Sequence, residues 1–238
     1  MFSAETLHWI CNVPIGITIC VLGIIGNILS VYVWSRIVKK NRHGNPSTAI
    51  YLITMGVCDT ALLFFFIFTE STSSIQPSIK STYPYATFFA WFSFPMFYIC
   101  VVASIWMTVG VTINRWVLIT FPTRGSDIYS KKRTYIGIVI ILLFSLLINI
   151  PHWFNFKVVM TSSNDTTYSI EKTEYGLSQG AIHYEFWCHC IVLVLAPWIT
   201  IATLNVLIIK KLRERTIKLT SVKSKYSQYS DGPKIETN

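Results

Sequence analysis

Residues 97–123 read FYICVVASIWMTVGVTINRWVLITFPT, and within them a long uncharged run meets its first cation at Arg115. Residues 81–114 contain no Asp, Glu, Lys or Arg, a stretch longer than the ~20 apolar residues a helix needs to cross a bilayer. Arg115 therefore sits where a span leaves the membrane. A cation at the inner end of a helix also follows from the positive-inside rule alone, and that plain reading stands beside any more specific one.

The rest of the chain has the same character. Its 238 residues are 52% hydrophobic and 13% charged, with a mean hydropathy of +0.49, too apolar and too poor in charge for an ordinary soluble domain. The net charge of +9 does not indicate a nucleic-acid partner, because the cations flank apolar spans and do not form one basic face. Six cysteines without regular spacing give neither a disulfide framework nor a zinc signature. Cys188, His189 and Cys190 look like a metal cluster, but residues two apart on a helix point to different faces, so they read as packing residues. Only Asp59 is both ionisable and deep in a span. No nucleophile-and-base pair, complete metal set or internal repeat emerges, which speaks against an enzyme and against a transporter.

Five apolar spans are predicted at about 12–35, 46–69, 86–114, 134–154 and 184–209, after an outer N-terminus at 1–11 and before a disordered cytoplasmic tail at 216–238. No basic segment precedes the first span, so it reads as an uncleaved anchor and not a signal peptide. With the N-terminus outside, 17 of the 20 Lys and Arg residues lie on the inner side, and only Lys80, Lys157 and Lys172 lie outside. The outer segments also carry Asp165, Glu171, Glu174 and Glu185. Such a mildly acidic vestibule attracts cationic ligands, although a solvated loop has the same composition. The basic segment after the fifth span suits anionic lipid or a protein partner.

The segment VTINRWVLITFP resembles the inner end of the third helix in rhodopsin-like G-protein-coupled receptors, where an acid, an arginine and a tyrosine precede apolar residues and a proline. Asn114 and Trp116 replace the acid and the tyrosine, whereas Arg115 and Pro122 remain. Gly26 and Asn27 resemble the Gly-Asn pair of the first receptor helix, and Pro197 the proline that bulges the fifth. Pro151, in FSLLINIPHWF, and the run LNVLIIKKLR resemble invertebrate receptors for FMRFamide-like peptides.

The resemblance implies an all-α membrane protein, a rhodopsin-like helical bundle with five of its seven helices present, multi-pass in the plasma membrane. It implies that Asn114, Arg115 and Trp116 serve coupling to a heterotrimeric G protein. Asp59, with Ser104 eleven residues before Arg115, would form a sodium pocket, sodium being the one cofactor implied. An Asp at mid-span marks a functional site by default. Phe97, about five turns above Arg115, and Cys100 stand at the level where ligands touch this helix; for Phe97 core packing is the competing reading. The outer cysteine usual in the family is replaced by Ala90, so the disulfide to the second outer loop is absent. Pro151 either stays within its helix or ends it. The sequon at Asn164 falls on the outer side, as glycosylation requires.

The motifs Cys-Trp-x-Pro and Asn-Pro-x-x-Tyr are missing, and no apolar run follows residue 209. The chain thus reads as a neuropeptide-type receptor truncated after its fifth helix, and the 238 residues alone are expected not to signal. The alternative is a five-span protein that associates with full-length receptors and alters their trafficking.

Overall fold

The computed structural model describes Thr6 and residues 9–40, 46–122, 130–162 and 167–230. Five helices are long and apolar enough to cross a membrane: α1 (Val13–Lys39), α2 (Ser47–Ser71), α3 (Tyr83–Thr120), α4 (Lys131–Phe154) and α5 (Gln179–Val222). Between α4 and α5 lies an antiparallel hairpin, β1 (Phe156–Ser162) and β2 (Thr167–Lys172). In lipid a backbone must satisfy its own polar groups, and helices do so without neighbours.

The helices extend beyond the bounds expected from hydropathy. The largest difference is at the C-terminal end, where residues 216–230, expected to be disordered, continue the helix Ala196–Ser230. No Gly or Pro interrupts the chain between Pro197 and Gly232, and residues 210–215, KKLRER, are all strong helix formers that carry the helix out of the span into the Ser-, Thr- and Lys-rich segment that follows. An exposed Lys211–Glu214 pair, 3.1 Å apart, adds modest support.

Two of the turns that widen to i→i+5 hydrogen bonding are Phe89–Ser93 in α3 and His189–Leu195 in α5. Each lies just before a proline, Pro95 or Pro197, which lacks an N–H and crowds the carbonyl four residues back; a wide turn relieves both. Pro151 acts differently. The α-helical part of α4 ends at Asn149, and Pro151 falls within the tighter turn Ile150–Phe154 that finishes the span.

The bundle centres on α3, against which α2, α4 and α5 pack, while α1 packs on α2. Ile50 and Tyr51 from α2, Met107 and Val111 from α3 and Ile138 from α4 form the inner core. The close contact between α1 and α2 runs through Gly23 and Gly56, not through Gly26. A Cβ at Gly23 would lie 2.7 Å from Leu63 Cδ1 and one at Gly56 2.8 Å from Val31 Cγ2, whereas one at Gly26 would meet nothing within 4 Å. The helical period explains the difference between the two glycines, since a residue three after Gly23 is turned about 60° off its line. Asn27 is half-buried, and its backbone carbonyl lies 3.5 Å from a Cβ placed at Gly56.

Tyr51 threads between α3 and α4 because both offer glycine there. A Cβ at Gly137 would stand 2.5 Å from the Tyr51 hydroxyl oxygen, and one at Gly110 3.0 Å from Tyr51 Cε1. Overpacking such a site costs about 1–3 kcal/mol. Gly137→Ala is therefore expected to lower the thermal midpoint in detergent by several degrees, and Gly26→Ala to leave it unchanged or slightly raised. Equal midpoints for Gly137→Ala and wild type would contradict this packing.

Candidate functional site: outer, middle and inner levels of the bundle

Among the described residues no disulfide holds the outer level. Cys20, Cys58, Cys100, Cys188 and Cys190 are free, and Ala90 is buried at the position of the missing cysteine. Aromatic contacts dock the hairpin on α3 instead. The Phe156 ring meets Phe94 edge-on at 4.8 Å and Phe89 at 5.8 Å, and Tyr168 lies 5.1 Å from Tyr83. Trp153 Nε1 donates to the Trp91 carbonyl at 3.0 Å. The hairpin exit is fixed by Thr173 N donating to Asn155 O at 2.9 Å. The Thr173 hydroxyl caps the next turn by accepting from Gly176 N at 3.0 Å.

Just below, three helices contribute to one stack. Tyr98 of α3 lies flat against His152 of α4 at 4.4 Å and against His189 of α5 at 5.0 Å. Asn155 Nδ2 stands 3.3 Å from His152 Nδ1, while His189 Nε2 is buried with no hydrogen-bond partner. Sequence reading placed His189 among packing residues and passed over Tyr98 and His152. The available signal was weak, a polar aromatic on each of three helices near the same depth. Lower on α5, Trp106 Nε1 donates to Val192 O at 3.2 Å, supplying a partner to a carbonyl within the widened turn. Pro197, one turn further in, is fully buried.

Phe97 meets Tyr98 of this stack edge-on at 5.3 Å and reaches towards α2 on its other side, its ring 6.3 Å from Phe66. It lines a cavity of about 520 Å³ between α1, α2 and α3, with Gly16, Cys20, Leu63 and Ser104 among the other walls. Cys100, one turn along, is half-buried and does not line that cavity.

At the middle level the Ser104 hydroxyl donates to Asp59 Oδ1, joining α3 to α2. Asp59 is half-buried. A carboxylate and a hydroxyl are the hard oxygen donors that suit an alkali or alkaline-earth cation, and they do not suit a thiophilic metal. Among the described residues no group of three or more His, Cys, Asp or Glu is placed to hold a metal ion.

The inner level separates two neighbours that the sequence motif joins. Asn114 is fully buried, and its Nδ2 donates to Thr48 Oγ1 at 2.6 Å, tying α3 to the start of α2. Its Oδ1 is buried without a partner. Arg115 is exposed and, among the described residues, makes no ion pair. Trp116 is half-buried, its ring edge-on to Phe121 at 6.2 Å. Asn114 is thus a positioning residue and cannot itself touch a protein docked on the inner face. The correction follows from the helical period, which turns successive side chains by about 100°. Asn164 and Asp165 lie outside the described residues.

Residues 26–231 match the family described as 7 transmembrane receptor (rhodopsin family). The chain belongs to this family. Among curated relatives, the rhodopsin-family chain is 30% identical over 221 residues to "FMRFamide receptor" of Drosophila melanogaster, covering 86% of this chain and 38% of that protein. It is 26% identical over 224 residues to "Rhodopsin, GQ-coupled" of Mizuhopecten yessoensis, covering 92% and 42%. It is 23% identical over 168 residues to "Galanin receptor type 1" of Mus musculus, covering 70% and 46%. The chain thus spans between 38% and 46% of the length of these relatives. The family is one of receptors and not of enzymes, and its five apolar helices make this chain a multi-pass membrane protein.

Proposed function

We propose that the chain forms part of a G-protein-coupled receptor for a neuropeptide, lying in the plasma membrane with its N-terminus outside. The observation that carries this reading is the inner end of α3. There an exposed guanidinium projects from a helix whose neighbouring amide is anchored inward on Thr48. An arginine in that setting offers five donors to the carbonyls and carboxylates of a docking protein. Trp116, the next residue, packs on Phe121, and the basic continuation of α5 gives the inner side a positive field. The charge bias of the loops supports the orientation, and in that orientation Asn164 is a glycosylation acceptor. The likeness to a receptor whose name specifies FMRFamide supports a peptide ligand, of sequence Phe-Met-Arg-Phe-amide or close to it.

The experiment is nucleotide exchange on a heterotrimeric G protein in membranes containing the protein that carries this chain, with a panel of peptide amides that includes Phe-Met-Arg-Phe-amide. Stimulation by one of them is expected; a flat response to the whole panel would contradict the reading.

Asp59 and Ser104 would hold a sodium ion. Bound there, it would supply positive charge to neutralise the carboxylate in a low-dielectric setting. A ligand present at a hundred times its Kd stabilises by about 2.7 kcal/mol. The wild-type thermal midpoint is therefore expected to be a few degrees higher in sodium chloride than in N-methylglucamine chloride at equal ionic strength. Asp59→Asn is expected to remove that difference. A wild-type midpoint indifferent to the cation would contradict the site.

A further inference from the structure

At the outer end of the bundle lies a cleft of about 580 Å³ that the account above leaves without a role. It opens between the outer end of α2, the first outer loop and the hairpin. Phe89, Phe156 and Tyr168 give it aromatic walls, Tyr85 closes one side, and Glu70 and Lys80 stand at its polar edge. The walls are held in place. The Tyr85 hydroxyl donates to Phe68 O at 2.9 Å, Phe89 and Phe156 meet edge-on at 5.8 Å, and the Tyr83–Tyr168 contact fixes the hairpin strand.

We propose that this cleft is a binding site for the basic, aromatic end of a peptide, with one aromatic side chain against Phe89 and Phe156 and a guanidinium between Tyr168 and Glu70. The inference deepens the peptide-receptor reading above and rests on it. The chemistry selects this ligand class in three steps. Aromatic rings stacked around a polar-edged cavity take another ring or a planar cation. A carboxylate on the same edge favours the cation and fixes its place through charge-assisted hydrogen bonds. Lys80, exposed across the edge, repels a second cation and leaves its ammonium for a peptide carbonyl. The volume lies within the roughly 300–1,000 Å³ of small-ligand sites and suits two side chains, not a whole peptide. The remainder of the ligand extends elsewhere.

A double-mutant cycle tests the guanidinium–Glu70 contact, using the wild-type protein and Glu70→Gln with Phe-Met-Arg-Phe-amide and its analogue bearing norleucine for arginine. Glu70→Gln is expected to weaken the arginine peptide about tenfold, the size of one charge-assisted hydrogen bond, and the norleucine peptide less than twofold. Equal weakening of both, or of neither, overturns the inference while peptide-stimulated exchange keeps the receptor reading intact. No saturable binding of either peptide to wild type overturns the inference together with the peptide assignment. Photolabelling needs no variant. With benzoylphenylalanine as the last residue of the peptide, adducts are expected on residues 83–89 or 156–172. Adducts confined to Tyr98, His152 and His189 overturn the cleft as the site.

Discussion

Arg115→Ala is expected to abolish peptide-stimulated nucleotide exchange, a loss of at least about a hundredfold, while peptide affinity changes no more than a few-fold. A hydrogen bond to a charged group is worth about 1.5–3 kcal/mol, and an arginine placed against a partner makes more than one. Arg115 is exposed and carries no load within the described bundle, so its removal leaves the fold in place. Asn114 is the contrast. Fully buried and bonded to Thr48, it shapes the start of α2, and Asn114→Ala is expected to lower stability as well as exchange. Purified receptor measured for binding, thermal midpoint and exchange separates the two cases. Full exchange by Arg115→Ala would show that the guanidinium has no part in coupling.

Phe156→Ala is expected to release the hairpin from α3. Truncating a well-packed phenylalanine costs about 3–5 kcal/mol, and Phe156 is half-buried, so the lower end applies. Its ring touches both Phe94 and Phe89, and few other groups join β1 to α3. Because local opening free energy sets amide exchange, hydrogen exchange across residues 156–172 is expected to accelerate by about two orders of magnitude. Exchange in the inner core, at Met107 and Val111, is expected to stay slow. Unchanged hairpin protection would mean that the aromatic contacts are not what replaces the missing disulfide.

The spans were legible in the sequence because hydrocarbon thickness sets a length that few other constraints imitate. Asp59 was legible as an inward-facing site because of the cost of a mid-span carboxylate, and its pairing with Ser104 came from the resemblance to the receptor family. The Gly26–Asn27 motif names residues but not the line of closest approach between α1 and α2, which passes through Gly23 and Gly56. The hairpin between α4 and α5 was not read from the sequence, because its strands are short and one, from Thr167 to Lys172, is mostly polar. The tail read as disordered from composition, while the absence of any breaker before Gly232 pointed to helix. The Tyr98–His152–His189 stack was out of reach, because three residues far apart in the chain meet only once α3, α4 and α5 are assembled.

Every functional assignment above requires Arg115 and the hairpin to lie on opposite sides of one membrane. The direct test introduces single cysteines at Glu171 on the hairpin and at Lys131, at the inner end of α4, both exposed, and labels them with a membrane-impermeant thiol reagent. Labelling of Glu171→Cys on intact cells, and of Lys131→Cys only after permeabilisation, is the predicted result. Labelling of Lys131→Cys on intact cells would contradict the account.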